Sequence, residues 1–197
     1  MNSSRARGIH ASAQRAGHAY FLAMRLDNLY FTCGAEMDVA TLRTHTGGGE
    51  VVSIARVAGY RLAFFGHNPV WDSGIETLIA DDAAEVWGVL YRLGSIEWER
   101  LDSAVGASLD GGGAYFHYPV EAETPTGKCC AARTYRKATR GEAQPPSHEY
   151  LAFLVTCALR RGLPTRYIEA LKAFPTTPAR YPVPKQDGSR RRHLHIL

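Results

Sequence analysis

The sequence predicts a mixed α+β fold, a small curved sheet or barrel flanked by helices. Three observations carry this expectation. Short β-branched and aromatic runs dominate the first two thirds of the chain, each run is cut by Gly, Pro or Asp, and two amphipathic helical stretches come late, at 149–161 and 165–172. With 197 residues, 45% hydrophobic and 21% charged, the chain is ordinary for a folded protein and long enough for one sizeable core. Composition divides it into a loose N-terminal segment over 1–26, a folded domain over 27–175 and a basic extended tail over 176–197.

The elements follow in order. Leu29–Cys33 is an aromatic and β-branched run stopped by Gly34, which predicts a first strand and a turn. Glu36–Thr46 has room for one or two helical turns before Gly47-Gly48-Gly49. Glu50–Val57 and Arg61–Phe65 read as two strands, followed by a polar loop from Gly66 to Gly74. Ile75–Ile79 and the apolar Glu85–Tyr91 read as a hairpin turning at Asp81-Asp82. Ser95 caps a helix with acids in its first turn that ends near Gly106. Gly111-Gly112-Gly113 is a connector, and Tyr115–Thr124 and Lys128–Tyr135 form a second hairpin about Pro125-Thr126-Gly127. Ser147 caps the helix 149–161, whose apolar face is Leu151, Leu154, Val155, Ala158 and Leu159, with Gly162 as its stop. Pro164 and Pro175 bracket the last helix, 165–172.

Several function classes are set aside at this point. The net charge of +4 comes from the ends of the chain, since 1–26 holds four Arg and no acid, and 180–197 holds five Lys or Arg against Asp187. The body between carries more acids than bases, so the basic surface stripe that nucleic acid requires is not expected. No run approaches the ~18 consecutive apolar residues of a membrane span. Arg and Ser without acids are shared by transit peptides and by mis-called starts, but the apolar stretch of a secretory signal is missing, so a cytoplasmic protein is expected. Cys33, Cys129, Cys130 and Cys157 contain no C-x-x-C, and reduced, mostly buried thiols are expected. No histidine pair in the body has ligand spacing, and no P-loop, G-x-S-x-G or H-E-x-x-H occurs, so neither a metal nor another cofactor is expected. A monomer or homodimer acting on a small molecule is the remaining expectation, the ligand sitting in the barrel mouth.

The order of particular segments is more informative than any generic signature. Tyr30-Phe31-Thr32-Cys33-Gly34-Ala35-Glu36 is followed by Ala55–Phe64, then Ser73-Gly74-Ile75-Glu76-Thr77 and Val86-Trp87-Gly88-Val89-Leu90-Tyr91. Pro146-Ser147-His148-Glu149-Tyr150-Leu151, Gly162-Leu163-Pro164 and Tyr167-Ile168 close the series. From Leu29 to Leu171 this order resembles the gamma-glutamylcyclotransferase-like (AIG2-like) family. The resemblance implies a lyase or acyl-transfer reaction in which the α-amine of a γ-glutamyl compound attacks its own γ-carbonyl, releasing an amine and 5-oxoproline. One carboxylate can take the ammonium proton and return it to the leaving nitrogen, while backbone N–H groups at the first glycine turn hold the glutamyl group.

Carried over residue by residue, the resemblance places Phe31, Thr32, Cys33, Gly34, Ala35, Val105, Tyr135 and Tyr150 around the substrate and Tyr115 in the catalytic group. It also exposes a departure, because the family's catalytic Glu falls on Val105 in Leu101-Asp102-Ser103-Ala104-Val105-Gly106. Valine moves no proton, so a carboxylate elsewhere is needed for an enzyme, and its absence would leave a catalytically inactive small-molecule-binding relative. Glu36, in the first turn, is one candidate acid/base. Glu76 is the other, an acid embedded in Ile75–Ile79. Facing the barrel mouth it becomes a base of raised pKa, and facing solvent it is an edge charge. Asp102 is expected to cap or hydrogen-bond its turn.

Overall fold

A computed structural model describes residues 28–107 and 113–185. The expected N-terminal segment, part of the glycine connector and the end of the basic tail lie outside these residues. Five strands close into a barrel in the order β1-β3-β2-β4-β5, where β1 is Leu29–Thr32, β2 Glu50–Asn68, β3 Ser73–Arg92, β4 Tyr115–Glu123 and β5 Cys129–Lys137. All pairings are antiparallel except the closure, where β1 lies parallel to β5 at Tyr30 and Arg133. A barrel of so few strands is filled by its own side chains. Phe31, Val57, Leu78, Val89, Leu90 and Tyr91, all on its strands, are buried.

Where the sequence reads two strands and then a separate hairpin, the structure builds one long hairpin. β2 and β3 pair from Glu50 opposite Arg92 to Asn68 opposite Ser73, turning at Pro69–Asp72. The two apparent breaks face each other, since the ladder passes from Ala58 opposite Glu85 to Tyr60 opposite Ala80. Gly59 takes φ +79°, and 81–84 bulge out of β3. Bulges bend a ladder without ending it, so Asp81-Asp82 is a bend in one strand and not the expected hairpin turn. The consequence for function is that Ile75–Leu78, near the far end of the hairpin, is carried back over the barrel mouth.

The first glycine turn becomes a short 3-10 turn, Ala35–Met37, and Asp38 caps helix α1 (Val39–Thr46) by accepting the Thr41 N–H at 3.0 Å. Helix α2 (Ser95–Val105) buries Trp98 and Leu101 and ends at Gly106 in the left-handed region, φ +69°. Helix α3 (His148–Arg161) starts at Ser147, whose Oγ accepts the Tyr150 N–H at 3.2 Å, and it ends at Gly162 as expected. Its buried face is Tyr150, Leu151, Leu154, Cys157 and Ala158, whereas Leu159, expected in the core, is exposed. Helix α4 (Thr165–Lys172) buries Ile168 and Leu171.

The segment after Pro175, expected as a basic extended tail, is held to the domain as far as Lys185. Arg180 donates from its backbone N–H (2.7 Å) and Nε (3.0 Å) to Asp72 Oδ2 and from its second guanidinium nitrogen to Oδ1 (2.6 Å). His67 Nε2 approaches the same Oδ1 at 2.8 Å, Ala179 N–H donates to Glu149, and Lys185 N–H donates to the Val70 carbonyl at 2.7 Å. Arg180 holds the Asp72 carboxyl well below the usual carboxylate range. Cys33, Cys130 and Cys157 are buried free thiols, and Cys129 is free and exposed.

Candidate functional site

The turn after β1 is fixed before anything binds to it. The Met37 carbonyl accepts from Tyr91 Oη at 3.0 Å and from Arg161 Nε at 2.7 Å, and Gly34 N–H donates to Thr32 Oγ1 at 3.2 Å. Strand β3, helix α3 and strand β1 thereby hold the Gly34–Met37 backbone in place. Above it opens a cleft of about 1530 Å3. Its walls include Thr32, Cys33, Gly34, Ala35 and Glu36 from the first turn, Glu76 from β3, Val105 from α2, Tyr115 from β4, Tyr135 from β5 and Tyr150 from α3. Trp71 and Val70 of the β2–β3 turn and Pro184 and Lys185 of the docked C-terminal segment form the rim.

The expected site residues therefore meet, with one exception. Phe31 is fully buried and lies outside the cleft, with its ring packed toward Gly88. Strand alternation explains the correction, because Tyr30 and Thr32 face the cleft and Phe31 must point the other way.

Of the two alternatives for Glu76, the cleft is the one realised. Its Oε2 accepts from Tyr150 Oη at 2.7 Å, and its Oε1 presses on Gly34 so closely that a Cβ there would overlap it. Gly34 is thus required for space, since its φ of −103° is open to any residue. Burial, and then the nearby charge of Glu36, raise the Glu76 pKa above the ordinary carboxylate range. The Tyr150 hydroxyl and the backbone N–H groups of Glu76 and Ala35 oppose that rise by favouring the charged form. Glu36 is 13% exposed, with Oε1 3.3 Å from His45 Nδ1. Tyr115 and Tyr150 are both raised above the usual tyrosine value, first by burial and then by the Glu76 charge, so both stay protonated. Burial also pushes the Cys33 thiol up, which makes it a poor nucleophile.

At its turn Asp102 accepts through its backbone carbonyl, and its side chain points elsewhere. Its Oδ1 accepts from the Tyr135 hydroxyl in a short hydrogen bond and lies 2.6 Å from His117 Nε2. His117, on β4, lies directly across the hairpin from Tyr135. Among the described residues no group of three His, Cys, Asp or Glu is placed to hold a metal, and no helix is long and apolar enough to cross a membrane.

Comparison with known proteins agrees with this architecture. The AIG2-like family model matches residues 85–171. The human gamma-glutamylcyclotransferase is 29% identical over 150 residues, covering 74% of this chain and 78% of that protein. The bovine protein of the same name is 28% identical over 152 residues, with the same coverage of each chain. A solved gamma-glutamyl cyclotransferase structure superposes with a TM-score of 0.73 at 28% identity, covering 79% of this chain and 92% of that one. In sequence and in fold the chain is similar to the gamma-glutamylcyclotransferase-like, AIG2-like family. Its closed barrel with flanking helices is the fold of that solved structure.

Proposed function

We propose that this gamma-glutamylcyclotransferase-like protein is a cytoplasmic enzyme that cyclises a small γ-glutamyl compound or related acyl amine, with Glu76 as the group that moves the proton. The observation that carries the reading is the buried Glu76 carboxylate in the cleft, against the Gly34–Ala35 turn and the Tyr150 hydroxyl. The family resemblance puts Val105 where a catalytic Glu is expected, and both residues line the same cleft. Glu76, its pKa raised by burial, accepts a proton from the substrate ammonium. The freed amine attacks the γ-carbonyl and a C–N bond closes the five-membered lactam; the bond to the leaving nitrogen breaks as Glu76 gives that nitrogen its proton, and the second proton shed by the attacking nitrogen goes to the released amine, which departs as an ammonium. Products are 5-oxoproline and the free amine. Glu36 stays an electrostatic neighbour that keeps Glu76 protonatable, and Tyr115 and Tyr150 orient the glutamyl group.

Release of 5-oxoproline from γ-glutamyl dipeptides and γ-glutamylamines tests this. Wild-type protein turns one class over, and Glu76→Gln lowers kcat by about 10²–10⁴-fold, the worth of a general acid–base. A Glu76→Gln variant within threefold of wild type removes Glu76 from the reaction. One observation favours a second reading, a binding relative without turnover: Glu76 already occupies the Gly34–Ala35 turn that would otherwise face the ligand. That reading expects γ-glutamyl ligands to raise the melting temperature without 5-oxoproline release, and Val105→Glu to create the activity.

A further inference from the structure

The cleft wall formed by Tyr135 is backed by a hydrogen-bonded chain that the reaction above does not use. Asp102, one helical turn before Val105 on α2, receives both Tyr135 Oη and His117 Nε2 on one oxygen, the latter at 2.6 Å. The other ring nitrogen of His117, Nδ1, lies 3.4 Å from a guanidinium nitrogen of Arg133. Arg133 is itself held over the Trp98 ring, 3.8 Å from its centroid. The donor and acceptor inventory gives one consistent set of protons for this chain. Guanidinium nitrogens only donate, so His117 Nδ1 carries a lone pair and the ring proton sits on Nε2. A carboxylate only accepts, so both His117 Nε2–H and Tyr135 O–H donate to Asp102.

Tyr135 has one proton, and Asp102 takes it. Burial, and next the hydrogen bond to Asp102, hold the Tyr135 pKa well above its usual value, so the proton stays in place. With that proton given to Asp102, the Tyr135 oxygen keeps only lone pairs for any further partner. Asp102 does not line the cleft, whereas Tyr135 does, together with the acceptors Glu76 and Glu36. A ligand group that satisfies this wall is one rich in N–H, which a primary amine supplies and a hydroxyl or ether does not.

We infer that Asp102 and His117 are positioning residues that make Tyr135 a fixed hydrogen-bond acceptor for the primary amine of the ligand. This rests on the γ-glutamyl reading above and adds to it the group that selects the amine. The aromatic packing around the pair, with His117 and Tyr135 ring centroids 5.2 Å apart and Tyr30 and Trp98 against them, keeps both rings from turning away.

Calorimetric affinities for L-glutamine and for glutaramate, its counterpart lacking the amine, test the inference, with 5-oxoproline assayed in the same samples to show that the ligand is intact. Wild type is expected to prefer glutamine by about tenfold or more, as for one charge-assisted hydrogen bond. Tyr135→Phe and Asp102→Leu each lose most of that preference, while Asp102→Asn, which keeps an oxygen for the Tyr135 proton, stays within about threefold of wild type. Nitrogen NMR of His117 shows the proton on Nε2. Melting curves establish that each variant is folded, and Tyr135→Phe, which removes one oxygen, decides the case if Asp102→Leu is not. An unchanged preference in folded Tyr135→Phe, or a His117 proton on Nδ1, overturns the inference and leaves the cyclotransferase reading standing. If neither ligand binds wild type and no γ-glutamyl compound is turned over, the γ-glutamyl reading itself fails and the inference falls with it.

Discussion

Replacing Gly34 by alanine tests whether the glycine turn and Glu76 form one unit. A Cβ at Gly34 would overlap Glu76 Oε1, with Cδ at 2.8 Å and Cγ at 3.2 Å, all of them atoms of the same side chain. The backbone at Gly34 accepts an alanine, because its φ of −103° is unstrained. The whole cost therefore comes from moving the Glu76 carboxylate off its partners, chiefly the Tyr150 hydroxyl at 2.7 Å. Leaving buried polar groups unpaired costs about 1–3 kcal/mol each, more for a charge. We expect Gly34→Ala to lower stability by about 2–3 kcal/mol, or roughly 5–10 °C in Tm for a domain of this size. In a Glu76→Ala background these three atoms are gone, and the cost of the same substitution falls to about 0.5 kcal/mol or less. Denaturant unfolding of wild type, both single variants and the double variant measures the coupling. Equal costs of Gly34→Ala in both backgrounds would refute the close approach.

Two other perturbations separate the electrostatic contributions. Burial raises the Glu76 pKa, so the folded protein keeps a proton that the unfolded chain has already released; the stability this gives is full below the unfolded value and lost as pH rises toward the folded one. Glu76→Gln does not titrate there, and its Tm relative to wild type should climb as the pH rises above the ordinary carboxylate range; a flat difference sinks the assignment. Asp72 is depressed by Arg180, so its contribution is present above the ordinary Asp range and is lost as the solution is acidified through the folded value. Arg180→Ala should lower Tm at neutral pH, speed hydrogen exchange at the Lys185 amide bonded to Val70, and lose its difference from wild type in acid; unchanged Lys185 exchange would mean that Arg180 does not hold the segment.

Local patterns in the sequence carry much of this architecture. Ser147 and Gly162 bracket α3, and the alternating run around Glu76 shows an acid with apolar neighbours, which is unusual on an exposed strand. What is not visible locally is which break is a turn. Gly59 and Asp81-Asp82 each look like punctuation alone, and only their placement opposite each other in one ladder makes them a shared bend. The choice of Glu76 between cleft and solvent depended on that bend. Long-range ion pairs are invisible for the same reason: Asp72 and Arg180 stand 108 positions apart, and a Pro- and Arg-containing segment reads as solvated until its partner is known. Asp102 and His117 join a helix to a strand 15 positions on, which no periodicity links. Phe31 fails as a cleft residue because a motif names consecutive residues, while a strand shows a given side only every second one.

The docked C-terminal segment also sets the order in which the cleft becomes whole during synthesis. The barrel has all its strands once Lys137 has been made, and the family-model match ends at 171, yet one rim of the cleft is Pro184 and Lys185. A nascent chain can hold a finished barrel and still present an unwalled cavity. The last wall of the cleft is therefore added after the barrel has formed, when Arg180 finds Asp72.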